Sequence, residues 1–87
     1  MDTKQLTYFI AIAESKTITE AANKLHLAQP ALSQSLKTLE GQLETQLVKR
    51  SRHQLSLTPA GEALYKEGKR ILQQIEETKS KILSANK

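Results

Sequence analysis

The sequence predicts a mainly α-helical fold: three helices, a short β-hairpin and one long closing helix. Three observations carry this. Apolar residues recur at helical spacing in four separate segments. Gln29-Pro30, Thr58-Pro59 and the pattern Thr17-Ile-Thr-Glu20 are helix-start signals ahead of three of those segments. Between the third and the fourth, Val48–Ser51 and Gln54–Leu57 alternate with period two, as short strands do.

The first helix is expected over about Thr3–Ser15. Leu6, Phe9, Ile10 and Ala13 form its stripe, and Tyr8 and Ile12 widen it. Thr17 begins the second: its hydroxyl can accept the Glu20 backbone N–H, and the Glu20 side chain can reach back. This helix runs to about Leu25, and Ala21 and Ala22 give it a small side that lets another helix approach. His26-Leu27-Ala28 then makes a tight turn. The third helix spans 29–43, because proline is tolerated in a first turn where its missing N–H is not needed. Leu32, Leu36, Leu39 and Leu43 mark its buried side, and Pro30, Ser33, Gln34 and Lys37 fall on the other.

The strands of the hairpin, 48–57, leave Arg52-His53 near its tip. Thr58 is a good N-cap and Pro59 a good first residue for the last helix, and Glu62 suits its positive end. Leu64, Gly68, Ile71, Ile75, Thr78 and Ile82 follow in steps of four and three, as in a coiled-coil seam. Gly68 allows close approach of two helices. Leu72 and Leu83 broaden the stripe beyond what one small domain covers. The chain divides at about residue 58: a compact unit over 1–58 and a long helix over 59–87.

Composition narrows the function. With no Cys and two His in 87 residues, no disulfide framework is available and no metal site is expected. So thin a core is expected to need a partner chain. No apolar run is long enough to cross a membrane, and MDTKQL does not read as a signal peptide. The net charge of +4 leans toward polyanions. Its densest point is Lys49-Arg50-Ser51-Arg52-His53. An enzyme is not expected: there is no Gly-rich phosphate loop, no Cys nucleophile and no paired-acid pocket, and no cofactor is implied.

Two short helices joined by a tight turn, with polar groups outward on the second, form a helix-turn-helix; the hairpin makes it a winged one. Glutamine can pair bidentately with adenine in a major groove, Ser33 can bond a base or a phosphate, and Pro30 and Ala31 can touch thymine methyls. Lys37 is better placed for phosphate, as are Thr17 and Thr38. Arg50, Arg52 and His53 can follow the backbone or enter a minor groove. Bland readings stand beside these. Ser33 and Gln34 can be a solvated helix face, Arg50 can pair with Glu40, and the basic tip can be an ordinary turn. The last helix can pack half on its own core and half on a second copy through Leu64, Gly68, Ile71, Leu72, Ile75 and Ile82. A helical interaction module with a merely solubilising wing is the alternative function; it predicts dimers without salt-sensitive DNA binding. An RNA-binding reading lacks exposed stacking aromatics.

The run "AANKLHLAQPALSQSLKTLEGQL" followed by "LVKRSRHQLSLTPAGEAL" resembles the N-terminal winged helix-turn-helix of LysR-type transcriptional regulators over nearly the whole chain. The resemblance rests most on Ala21-Ala22, Leu25, Gln29-Pro30-Ala31, Ser33, Leu39-Glu40, Leu43, Leu47, Arg50, Leu57-Thr58 and Ala60-Gly61. It implies a bacterial, cytoplasmic regulator that binds an interrupted palindrome in double-stranded DNA as a homodimer, its last helix pairing antiparallel with the partner's. It also implies a small-molecule effector, sensed by a C-terminal domain that this sequence is expected to lack. By match to the family motif, Gln29, Pro30, Ala31, Ser33 and Gln34 are base-reading positions. Thr17 and Thr19 lie near a phosphate, Arg50 is the wing arginine, and Arg52 and His53 form the variable wing tip. Three residues depart from the pattern. Glu44 replaces the usual Gly after the third helix, so a different turn or a longer helix is expected there. Val48 replaces a larger apolar residue, and Ser35 a longer polar one.

Overall fold

The computed structural model describes residues 1–51 and 54–86. Its elements run α1 (Thr3–Ala13), α2 (Ile18–Leu25), α3 (Gln29–Leu43), β1 (Val48–Ser51), β2 (Gln54–Leu57) and α4 (Pro59–Ala85). α1 stops two residues short of the expected Ser15. Asp2 caps it, with the Asp2 carboxylate accepting from Gln5 N and the Gln5 side chain accepting from Asp2 N. Thr17 caps α2 by accepting from Glu20 N at 3.0 Å. The reciprocal half of the expected box is replaced: the Glu20 carboxylate lies 3.5 Å from Lys24 Nζ, one turn along.

Both α2 and α3 end in a residue with left-handed backbone, His26 (φ 57°) and Glu44 (φ 53°). Each end is closed by a pair of backbone bonds. Leu27 N donates to Ala22 O and His26 N to Asn23 O; Thr45 N donates to Glu40 O and Glu44 N to Gly41 O. This arrangement absorbs the last helical carbonyls and favours glycine at the left-handed position. Glu44 therefore takes the backbone shape for which a glycine is usual, and α3 ends at Leu43 without lengthening.

The core lies where α1, α2 and α3 meet under the hairpin. Phe9, Ile12, Ala21, Ala22, Leu32, Leu36, Leu39 and Leu47 are buried there, and Leu25, Leu27, Leu55 and Leu64 pack against it. The expected stripe of α3 is buried at Leu32, Leu36 and Leu39 only. Leu43, in the last turn, is 39% exposed.

The hairpin is antiparallel and pairs Val48 with Leu57 and Arg50 with Leu55. Glu40 fixes its root: one carboxylate oxygen accepts from Leu47 N at 2.7 Å and Val48 N at 3.4 Å. Leu47 O accepts from Thr58 N. The Thr58 hydroxyl donates to Gln46 O and accepts from Gly61 N, the start of α4. Leu55 N reaches across to Lys16 O in the α1–α2 connection. Val48 is 8% exposed, so a smaller residue still fills this corner.

α4 lies against α1 from its first turns to about Ile75, where Leu72 and Ile75 share a hollow with Thr3 and Thr7. At Gly68 a Cβ would stand 2.7 Å from Leu6 Cδ1 and 3.4 Å from Ile10 Cδ1. The close approach that Gly68 allows is thus made within the chain. Tyr65 adds a polar tie, its hydroxyl donating to Glu14 at 2.7 Å. Beyond Ile75 the helix leaves the body. Ile71, Ile82 and Leu83 are 42%, 63% and 68% exposed. No helix among the described residues is long and apolar enough to cross a membrane.

Candidate nucleic-acid interface

α3 presents the polar face expected of it. Pro30, Ala31, Gln34, Lys37 and Thr38 are exposed, and Gln29 and Ser33 are half-buried at its first turns. The mouth of the helix has no side-chain cap: Ala28 occupies the N-cap position and Pro30 contributes no N–H. Within the face, two glutamines bond hydroxyls one turn along. Gln29 Nε2 donates to Ser33 Oγ at 2.8 Å, and Gln34 Nε2 to Thr38 Oγ1 at 3.4 Å.

Three concavities border this face. One, between α3 and β1, is lined by Lys37, Lys49 and Arg50 with Gln46, Ser56 and Glu40. Its volume, about 690 Å³, makes it an open trough. Two of the three cations come from β1 and one from α3, and the bonds of Glu40 to the Leu47 and Val48 amides tie that strand to that helix. The Glu40 carboxylate, turned to the amides of Leu47 and Val48, is engaged away from Arg50. The ion pairs among the described residues are Lys24–Glu20, Arg70–Glu67 and Lys79–Glu76, all exposed. The expected alternative of an Arg50–Glu40 pair is therefore not formed.

A smaller hollow, about 170 Å³, brings Thr17, Thr19, Gln29, Arg50 and Gln54 together at the meeting point of α2, α3 and the hairpin. Arg50 belongs to both concavities. On the opposite flank, Lys4, Gln5 and Tyr8 of α1 share a hollow with Ala31, Gln34, Ser35 and Thr38. The Lys4 ammonium lies 5.8 Å from the centre of the Tyr8 ring.

Of the expected site residues, the structure brings Gln29, Thr17, Thr19 and Arg50 into one hollow and Ala31, Gln34 and Thr38 into another. Arg52 and His53, the expected wing tip, lie outside the described residues. The sequence pattern does not single out Lys4, Gln5 or Gln54, and it gives Lys49 only as part of the basic run. The first two reach the face only through the packing of α1 on α3, which no local pattern reveals. Lys49 and Gln54 were within reach, since period two already gave the hairpin its faces.

The fold and this face have known counterparts. The CbnR DNA-binding domain, solved in complex with DNA, superposes with a TM-score of 0.95 at 34% identity, each chain covered in full. The family model for bacterial regulatory helix-turn-helix proteins of the lysR family matches residues 3–62. The chain belongs to the LysR family. Among curated LysR-type relatives, the nitrogen assimilation regulatory protein nac of Klebsiella aerogenes is 43% identical over 77 residues, 88% of this chain and 25% of its own length. The transcriptional regulator BsdA of Bacillus subtilis (strain 168) is 47% identical over 78 residues, 88% of this chain and 27% of its own. The chain thus spans about a quarter of the length of these relatives.

Proposed function

We propose that this chain binds double-stranded DNA sequence-specifically as a homodimer, and that it serves a bacterial, cytoplasmic transcriptional regulator. In this reading residues 1–58 recognise DNA and the helix over 59–87 dimerises. The observation that carries it is the exposed polar face of α3 beside a trough lined by Lys37, Lys49 and Arg50. A helix fits a major groove, and cations to one side of it meet the phosphates that border that groove. Gln29, Pro30, Ala31, Ser33 and Gln34 face the bases. Thr17, Thr19, Lys37, Thr38 and Arg50 take phosphates, joined by the wing-tip Arg52 and His53. The solved CbnR relative, itself a complex with DNA, supports this reading.

Two copies joined through the free side of α4 present two reading helices about a two-fold axis. The matching site is an interrupted palindrome. Ile71 and Ile82 are exposed along that side, Leu72 and Ile75 are half-exposed beside Thr3 and Thr7 of the same chain, and Leu64 and Gly68 already pack within the chain. A small-molecule effector acts, in this reading, through a separate domain of the regulator.

The test is selection of bound sequences from a random DNA pool at near-physiological salt. Enrichment of a two-fold site with T and A at its ends is the expected result. A folded, dimeric protein that enriches nothing would overturn the reading in favour of a protein-interaction module.

A further inference from the structure

The two glutamines of the reading face are held differently. Gln29 is half-buried, its amide 2.8 Å from Ser33 Oγ, and it stands among Thr17, Thr19, Arg50 and Gln54. Gln34 is exposed, and its contact with Thr38 is 3.4 Å, the long limit of a hydrogen bond. One glutamine is held by a short bond in a half-buried place; the other is exposed and held by a long one.

We infer that Gln29 and Ser33 read a single A·T pair as one unit, Ser33 acting at the bases as a positioning residue for the Gln29 amide. The inference rests on the DNA-reading function proposed above. A glutamine amide has two N–H donors and one carbonyl acceptor. With one N–H on Ser33, one N–H and Oε1 remain. That is the pair adenine requires in the major groove, where N7 accepts and the N6 amino group donates. Glutamine otherwise enters a groove with all its torsions free, and ordering them opposes binding. The bond to Ser33 fixes the amide before DNA arrives. The same glutamine-to-hydroxyl bond recurs at Gln34–Thr38 and Gln74–Thr78, but it is 3.4 Å long at both, against 2.8 Å at Gln29–Ser33.

The test uses a duplex enriched from a random pool by the wild-type chain, with every base pair of one half-site replaced in turn. Dissociation constants are measured by fluorescence anisotropy at fixed salt for wild type, Gln29→Ala, Ser33→Ala, Ser33→Thr and the double alanine variant; circular dichroism checks the fold of each. Gln29→Ala is expected to lose discrimination at one A·T pair by about 5- to 150-fold, the span of one bidentate contact. Ser33→Ala should lose most of the discrimination at that same pair, and the double variant should be no worse than Gln29→Ala. Ser33→Thr, which keeps a hydroxyl, should retain it. The inference is overturned if Ser33→Ala relaxes a different base pair, weakens all duplexes alike, or multiplies with Gln29→Ala. A wild-type chain that enriches no sequence overturns the DNA-reading function and this inference together.

Discussion

Gln34 and Arg50 stand about the same reading face and should fail in different ways. Gln34 is exposed on α3, with nothing but a long contact to Thr38 holding it. Gln34→Ala should cost on the order of 1–3 kcal/mol on the enriched site and relax its specificity. Arg50 joins two concavities, and the proposed function assigns it a phosphate. Arg50→Ala should weaken all sequences alike and lower the salt dependence of binding by about one ion. Titrations of cognate and random duplexes at several salt concentrations check both; equal losses on the two duplexes for Gln34→Ala would remove its base-reading role. Glu40 shows where the sequence was opaque. Its place in the motif was legible, and so was its availability to Arg50, but its actual partners are two backbone amides that carry no sequence signal. Glu40→Ala leaves the Leu47 N–H, on a residue only 1% exposed, without its acceptor. The expected loss is about 2 kcal/mol in urea unfolding, and less for Glu40→Gln, which retains an acceptor.

The helices and the hairpin were the most legible features, because each is a local pattern with its own start signal. Thr17, Gln29-Pro30 and Thr58-Pro59 begin α2, α3 and α4 where the sequence places them. What escaped were the places where one element limits another. Leu43 has the right spacing to be buried, yet it is exposed in the last turn of α3. Gly68 has the right spacing for a seam between chains, yet its close neighbours are Leu6 and Ile10 of the same chain. The glycines carry this lesson into experiment. A Cβ at Gly41 meets nothing, whereas one at Gly61 would collide with the Leu47 carbonyl oxygen. Gly41→Ala should therefore raise stability by roughly 0.5–1 kcal/mol, the helix preference for alanine acting alone. Gly61→Ala should lower it by about 1–3 kcal/mol by prising the hairpin root from α4. Thermal unfolding of the two variants separates them by sign.

The whole molecule is longer than its size requires. Its radius of gyration is 14.5 Å, where a compact domain of this length has about 12 Å. The excess is α4, which carries exposed Ile71, Ile82 and Leu83 away from the core. Apolar surface at helical spacing on a projecting helix favours a second helix against it. Ile71→Lys combined with Ile82→Lys should shift sedimentation equilibrium from dimer to monomer. Affinity for a two-fold site should fall with it, while each unit's contacts with a half-site persist; an unchanged dimer would exclude this face as the seam. The continuity of α4 has one more consequence. From Pro59 to Ala85 it is a single rigid shaft, so it transmits angle as well as distance. One residue inserted after Gly68 would turn everything beyond by about 100° relative to the winged unit. Seven inserted residues would restore the azimuth to within about 20°. Binding to a two-fold operator should therefore oscillate with insert length, with the helix acting as the protractor that sets one winged unit against the other.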